Sequence, residues 1–180
     1  INSNIGNLEQ ESVIYNNYGV YYSNLGNQEL SISNFLKAIN ILNLIGIKIQ
    51  LVSAHYNIGN AYLQICDYQK SYEFLIKAED SFNKIGSNED KFRILISIGR
   101  LWYILGDFEQ LYKTHDKIEQ LSKSISINSD QDYFYFNYLK FLLELNPANK
   151  IRRNNDFEFF FEQSINGKET DYTLEMLTIY

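Results

Sequence analysis

The sequence has very little proline, cysteine or uninterrupted apolar sequence. Its single proline, Pro147, leaves long stretches in which helices can run without a break. Its single cysteine, Cys66, cannot form an internal disulfide, which fits a reducing compartment, so we expect a cytoplasmic protein. No apolar run approaches the roughly 18 residues that cross a membrane, and no signal peptide is evident, so we expect no membrane association.

Positive charge is also scarce, because 16 basic residues face 22 acidic ones and the net charge is −6. An acidic chain repels phosphate backbones, so we expect no nucleic-acid partner. Asn, Ile, Lys and Tyr are abundant, which we interpret as AT-rich bacterial coding. The chain begins at Ile1 without an initiator methionine, so we expect it to be a fragment of a larger protein.

The glycines reveal an internal repeat. When the chain is written in rows of 40, eight of its nine glycines fall into three columns. The columns are Gly6, Gly46 and Gly86; Gly19, Gly59 and Gly99; and Gly26 and Gly106 with Cys66 between them. Such a period indicates a stack of similar structural units, because each unit buries its apolar faces against its neighbours.

Each column has a mechanical interpretation. The first follows an apolar helical stretch and is typical of a helix C-terminus. The second lies inside a helix, where glycine suits two helices that approach too closely for a Cβ. The third marks a tight turn, and it precedes Asn27, Asp67 or Asp107, which we expect to cap the next helix.

The apolar pattern predicts two helices in each repeat. In the second repeat we expect helix A from about Lys48 to Ile65 and helix B from about Tyr68 to Ile85. The buried stripe of helix A comprises residues at three- and four-residue steps, namely Val52, His55, Ile58, Gly59 and Tyr62. The predicted fold class is therefore all-α, a stack of helix pairs.

The second repeat also resembles a known family. The segment from Tyr56 to Tyr62, followed by Asp67–Tyr68 and Lys77–Ala78, resembles the tetratricopeptide-repeat signature, in the 40-residue variety found in intracellular signalling proteins. The resemblance implies a right-handed superhelical α-solenoid of stacked antiparallel helix pairs. It also implies a non-enzymatic scaffold that binds a protein or a peptide.

The register divides the chain into segments. We expect a tail of a preceding repeat or a capping segment first, then repeat-like sequence over 13–145, and finally a degenerate repeat or C-terminal cap. The boundaries are 1–12 for the first segment; about 13–46, 47–86 and 87–126 for three repeats; 130–145 for the first helix of a degenerate fourth; and 146–180 for the last segment.

No catalytic constellation is apparent in the sequence. His55 and His115 lie in or near packing columns, where a partly buried histidine satisfied by a neighbour is the favoured interpretation. His115 and Glu119 share a helix face, but the sequence indicates no third metal ligand. Cys66 replaces a turn glycine, and no base is placed to activate it. We therefore expect no enzyme activity, no metal and no cofactor.

Family resemblance instead places a set of helix-A residues in a concave groove. Amide groups suit a peptide backbone, arginine grips a carboxylate through two hydrogen bonds, and aromatic rings give rigid apolar contact. The predicted groove residues are Asn16, Tyr56, Asn57, Asn60, Arg93, Arg100, Tyr103, Phe136 and Lys140. We expect a protein or short peptide partner with an acidic or C-terminal carboxylate group. A chaperone-type carboxylate clamp is matched only in part, because Val20 stands where that clamp has Asn.

Two further functions remain open at this stage. The 40-residue repeats resemble those of peptide-pheromone receptors and of sensory segments in bacterial signalling proteins, so the output domain would lie in sequence outside this chain. Alternatively, the aromatic segment Phe157–Phe161 forms a homodimer surface.

Overall fold

A computed structural model describes residues 2–85 and 87–124, and the regular structure in this part of the chain is entirely α-helical. The helices are α1 (Asn2–Asn24), α2 (Gln28–Ile45), α3 (Lys48–Gln64), α4 (Tyr68–Ile85), α5 (Asn88–Leu105) and α6 (Phe108–Ser122). No strand occurs within these residues, so the predicted all-α class is confirmed. No helix of the described part is long and apolar enough to cross a membrane.

Consecutive helices are joined by only two or three residues and pack against each other. Short connections between contacting helices require an antiparallel arrangement. The pairs are α1 with α2, α3 with α4, and α5 with α6, and the pairs stack through contacts of α2 with α3 and of α4 with α5. The sequence prediction for the second repeat is confirmed, since α3 ends one residue before the expected Ile65 and α4 has the expected bounds.

The turn glycines hold the left-handed backbone conformation that ends a helix. Gly26, Gly46 and Gly106 have φ values of 75°, 75° and 71°. Cys66 occupies the same position in the second repeat with φ 61°, which is strained for a residue that carries a Cβ. The following Asn27, Asp67 and Asp107 side chains each accept a hydrogen bond from the backbone N–H three residues later, as predicted for N-caps.

The glycines inside helices mark close helix packing. A Cβ added to Gly59 of α3 would lie 2.8 Å from Leu75 Cγ of α4, and one added to Gly19 would collide with the ring of Phe35. This prediction is confirmed at both positions. At Gly6 the helix-end prediction is wrong, because Gly6 lies inside α1 with nothing within 4 Å of an added Cβ.

The core lies where one pair meets the next. One cluster joins Phe35, Ile39 and Leu42 of α2 to α3, and a second joins α3, α4 and α5. The predicted α3 stripe from Val52 to Tyr62 is buried throughout. The predicted segments 130–145 and 146–180, and the aromatic run 157–161, lie outside the described residues.

Candidate functional site

A cavity of about 520 Å³ opens where α1, α3 and α5, the first helices of the three pairs, lie side by side. Apart from Phe35 of α2, its lining comes from these three helices. The lining residues are Val20, Ser23, Asn24, Phe35, Tyr56, Asn57, Asn60, Gln64, Arg93, Ile96, Ser97 and Arg100.

The repeat explains why these side chains share one surface. Positions separated by one repeat period take equivalent places on successive first helices. Val20, Asn60 and Arg100 form one such series, and Asn24 and Gln64 form another. Within each helix the lining residues recur at three- and four-residue steps, which keeps them on one face.

Five of the nine predicted groove residues line this cavity, namely Tyr56, Asn57, Asn60, Arg93 and Arg100. Asn16 adjoins the cavity, because its Oδ1 accepts a hydrogen bond from Asn57 Nδ2 at 3.2 Å. Tyr103 does not line it, and its ring instead packs edge-on against Phe108, with the ring centres 6.2 Å apart. The predicted Phe136 and Lys140 lie outside the described residues.

Tyr56 lines the cavity and connects two helices. Its hydroxyl is hydrogen bonded with Ser97 of α5 and with Asn60 of its own helix. Burial raises the pKa of Tyr56, and the positive charges of Arg100 and Arg93 oppose that shift. Tyr56 is therefore a neutral hydrogen-bonding group at neutral pH, held between the two arginines.

The cavity is positively charged within an acidic protein. Arg93 and Arg100 contribute two positive charges, and its described lining contains no Asp or Glu. The two arginines are seven residues apart on α5, which separates them by about 10 Å along the helix axis. Arg93 and Arg100 are therefore the charged residues of the described lining.

Amide side chains provide the second chemical feature of the cavity. Asn60 Nδ2 donates to the Tyr56 carbonyl oxygen at 3.1 Å, and Asn57 Nδ2 donates to Asn16. These bonds fix the orientation of the amides and use only part of their hydrogen-bonding capacity. Orientated amides along a groove suit the alternating N–H and C=O groups of an extended peptide.

Sequence reasoning missed several lining residues, including Ser97, Gln64 and Asn24. A signal was present for each of them. Ser97 lies one repeat period after Asn57, so extending that column along the register finds it. Asn24 and Gln64 lie four residues after Val20 and Asn60, so extending the groove face by one helical turn finds them.

Other reactive side chains lie outside this cavity. His55 is buried beside the Phe74 ring, and none of the described residues gives its Nδ1 a hydrogen bond, so the expected satisfying neighbour is not found for that atom. On α6, Asp116 joins His115 and Glu119, with one ligand atom of each within 4.8 Å of the others. Both carboxylates are exposed, as is usual on a solvated helix face.

Comparison with known proteins agrees with the geometry. The family model described as tetratricopeptide repeat matches residues 13–41 and 52–83, which cover most of α1–α2 and α3–α4. No curated protein matches the chain. Tetratricopeptide repeats are scaffolds for protein–protein interaction, and no helix pair in the described part departs from their architecture. Residues 13–41 and 52–83 are therefore tetratricopeptide repeats.

Proposed function

We propose that this chain is a non-enzymatic peptide-binding scaffold whose cavity receives a segment that carries a carboxylate. The observation that supports this most directly is the lining itself, with two arginines and no acidic residue in a chain of net charge −6. Carboxylates form bidentate hydrogen bonds with arginine, and these bonds are among the strongest in proteins.

The amide groups favour an anion that belongs to a peptide. Asn57 and Asn60 of α3 line the same cavity as Arg100 of α5. A carboxylate held by the arginines would place the adjoining peptide backbone along these amides. A segment three to four residues long matches the span between Arg93 and Arg100, about 10 Å, because extended residues rise by roughly 3.3 Å each.

The carboxylate has two possible sources, a chain terminus or an acidic side chain. Fluorescence anisotropy with four labelled peptide pools distinguishes them, since each pool has either a free or an amidated C-terminus and either contains or lacks Asp and Glu. We expect the one pool without any carboxylate, which is amidated and lacks Asp and Glu, to bind at least about tenfold more weakly than the best pool.

The decisive variant is Arg93→Ala/Arg100→Ala. We expect it to weaken binding of the best pool by about tenfold to a hundredfold, because a hydrogen bond to a charged group contributes about 1.5–3 kcal/mol. The matched control is Lys113→Ala/Lys123→Ala, which removes the same charge from two exposed positions, one in α6 and one directly after it, where the lysines pair with Glu109 and Glu119. Equal affinity of the arginine variant and the wild type, or equal losses in both variants, would exclude the cavity as the carboxylate site.

We further propose that the scaffold is the recognition or sensory segment of a larger bacterial signalling protein. The support is the 40-residue repeat length, which resembles that of repeats in intracellular signalling proteins. Sequencing the complete gene tests this directly. An output domain such as a kinase, a cyclase or a DNA-binding module is the expected result, and its absence would contradict the proposal.

A further inference from the structure

The walls of the cavity differ in chemistry from one helix to the next. The α5 wall carries both charged residues of the described lining, Arg93 and Arg100. The α3 wall is polar and uncharged, with three amide side chains beside Tyr56. The α1 wall carries no charge, and its one apolar side chain is Val20, which is 39% exposed. The cavity therefore changes from basic at α5 to partly apolar at α1.

One column of the repeat register follows this change across the cavity. Val20, Asn60 and Arg100 are one repeat period apart, so they occupy equivalent places on α1, α3 and α5. A chaperone-type clamp has Asn at the place of Val20, so this chain departs from that clamp at the α1 end. The column seven residues earlier has the same order of valine, small polar residue and arginine, namely Val13, Ser53 and Arg93. The same order thus occurs twice on the same three helices.

The α1 end of the cavity suits an apolar group and not a carboxylate. Helix α1 contains no Lys or Arg, and its charged residues are Glu9 and Glu11. The ring of Phe35 also lines the cavity, and it lies against Gly19, the residue before Val20. A carboxylate that leaves water here would find no cation, whereas an aliphatic side chain gains free energy by leaving water.

The distance between the two ends sets the spacing of the groups on a ligand. Helix α3 contacts both α1 and α5, and the axes of packed helices lie about 8–10 Å apart. Arg100 and Val20 are separated by two such steps, which is about 16–20 Å. An extended peptide rises by roughly 3.3 Å per residue, so it covers this distance in about five or six residues.

We infer that the peptide crosses α5, α3 and α1 in that order, with its carboxylate on Arg100 and an aliphatic side chain on Val20, about five or six residues away. The inference rests on the proposed function and adds the path of the peptide and a second specificity-determining residue. Arg100 selects the anionic group, Asn60 meets the backbone between the two ends, and Val20 selects an aliphatic residue over an acidic one.

A leucine scan measures the spacing. The labelled probes are peptides of Ser and Thr that carry one carboxylate and a single leucine, placed roughly three to ten residues from it. Each set is made twice, once with a free C-terminus as the carboxylate and once with an Asp residue and an amidated C-terminus. By fluorescence anisotropy with the full chain, a leucine at one of the two expected positions should tighten binding about fivefold to tenfold. Leucine at the adjacent positions should gain less, because successive side chains of an extended segment point to opposite faces.

Val20→Lys tests the assignment of the apolar end. A second probe carries Glu in place of leucine at the best position, and the wild type should bind it about fivefold to tenfold more weakly than the leucine probe. Val20→Lys should abolish this preference, because the new cation pairs with the Glu and the apolar contact is lost. The matched control is Val13→Lys, which adds the same charge to α1 at a position that is 41% exposed and outside the cavity, and it should keep the preference. Circular dichroism will verify that both variants are folded.

Failure of this inference and failure of the proposed function give different results. If the leucine scan is flat, or if Val20→Lys keeps the leucine preference, while Arg93→Ala/Arg100→Ala still weakens binding, the α1 contact is wrong and the carboxylate site stands. A maximum about eight to ten residues from the carboxylate would place the carboxylate on Arg93 and overturn its assignment to Arg100, because about three to four extended residues separate the arginines. No binding of any probe, or binding that does not depend on the arginines, would overturn both proposals.

Discussion

Replacing Gly59 with alanine measures the cost of the close approach between α3 and α4. The added Cβ would lie 2.8 Å and 2.9 Å from Leu75 Cγ and Cδ2, and 3.3 Å from the Leu75 backbone nitrogen. Leu75 is completely buried, so its side chain has no free space into which it can rotate. Overpacking of this kind costs about 1–3 kcal/mol. Alanine also gains about 1 kcal/mol over glycine in a helix interior. We therefore expect Gly59→Ala to lower the free energy of unfolding by up to about 2 kcal/mol.

Gly6→Ala is the matched control, because Gly6 lies inside α1 with no neighbour within 4 Å of an added Cβ. It keeps the gain in helix propensity without the collision, and it should stabilise the protein by up to about 1 kcal/mol. The difference between the two variants isolates the overpacking cost. Urea unfolding monitored by circular dichroism in the far ultraviolet measures both. If Gly59→Ala proves as stabilising as Gly6→Ala, the close-approach explanation of this glycine column is wrong.

Two further predictions concern Cys66 and His55. Cys66→Gly should raise the free energy of unfolding by about 0.5–1 kcal/mol relative to Cys66→Ala, because both variants lose the thiol and only glycine relieves the positive φ. The greater flexibility of glycine in the unfolded chain offsets part of this gain. Equal stabilities of the two variants in thermal unfolding would show that the turn is not strained. Burial, with help from the Lys77 charge, lowers the pKa of His55 to about 4, whereas the unfolded residue titrates near 6.5. The unfolded state therefore binds the proton more readily, so stability is full above pH 6.5 and should fall by about 2 kcal/mol between pH 7.5 and pH 5. His55→Phe should flatten this part of a urea-unfolding pH profile, and a wild-type profile that is already flat would contradict the assignment.

The candidate site could be predicted from the sequence wherever the repeat register applies. Asn57, Arg93 and Arg100 were predicted from the resemblance to tetratricopeptide repeats, which places the first helices along a groove, and the lining of the cavity contains all three. Tyr103 does not line the cavity, and its ring packs against the Phe108 ring of the following helix, a contact that the periodicity of one helix does not reveal. Pairing partners such as Ser97 with Tyr56 depend on the contact between two helices, which no single-helix pattern encodes.

The sequence by itself determined the helices, their turns and their caps, because these are local. The first backbone N–H groups of a helix need hydrogen-bond acceptors, and the repeat supplies a capping side chain at the turn within each helix pair, at Asn27, Asp67 and Asp107. Only the tertiary structure decided which apolar faces are covered. Ile14 and Ile94 have the same residue type and register, yet one is 53% exposed and the other 2%. The difference is whether a preceding helix packs on that face, and the sequence around either isoleucine contains no information about that neighbour.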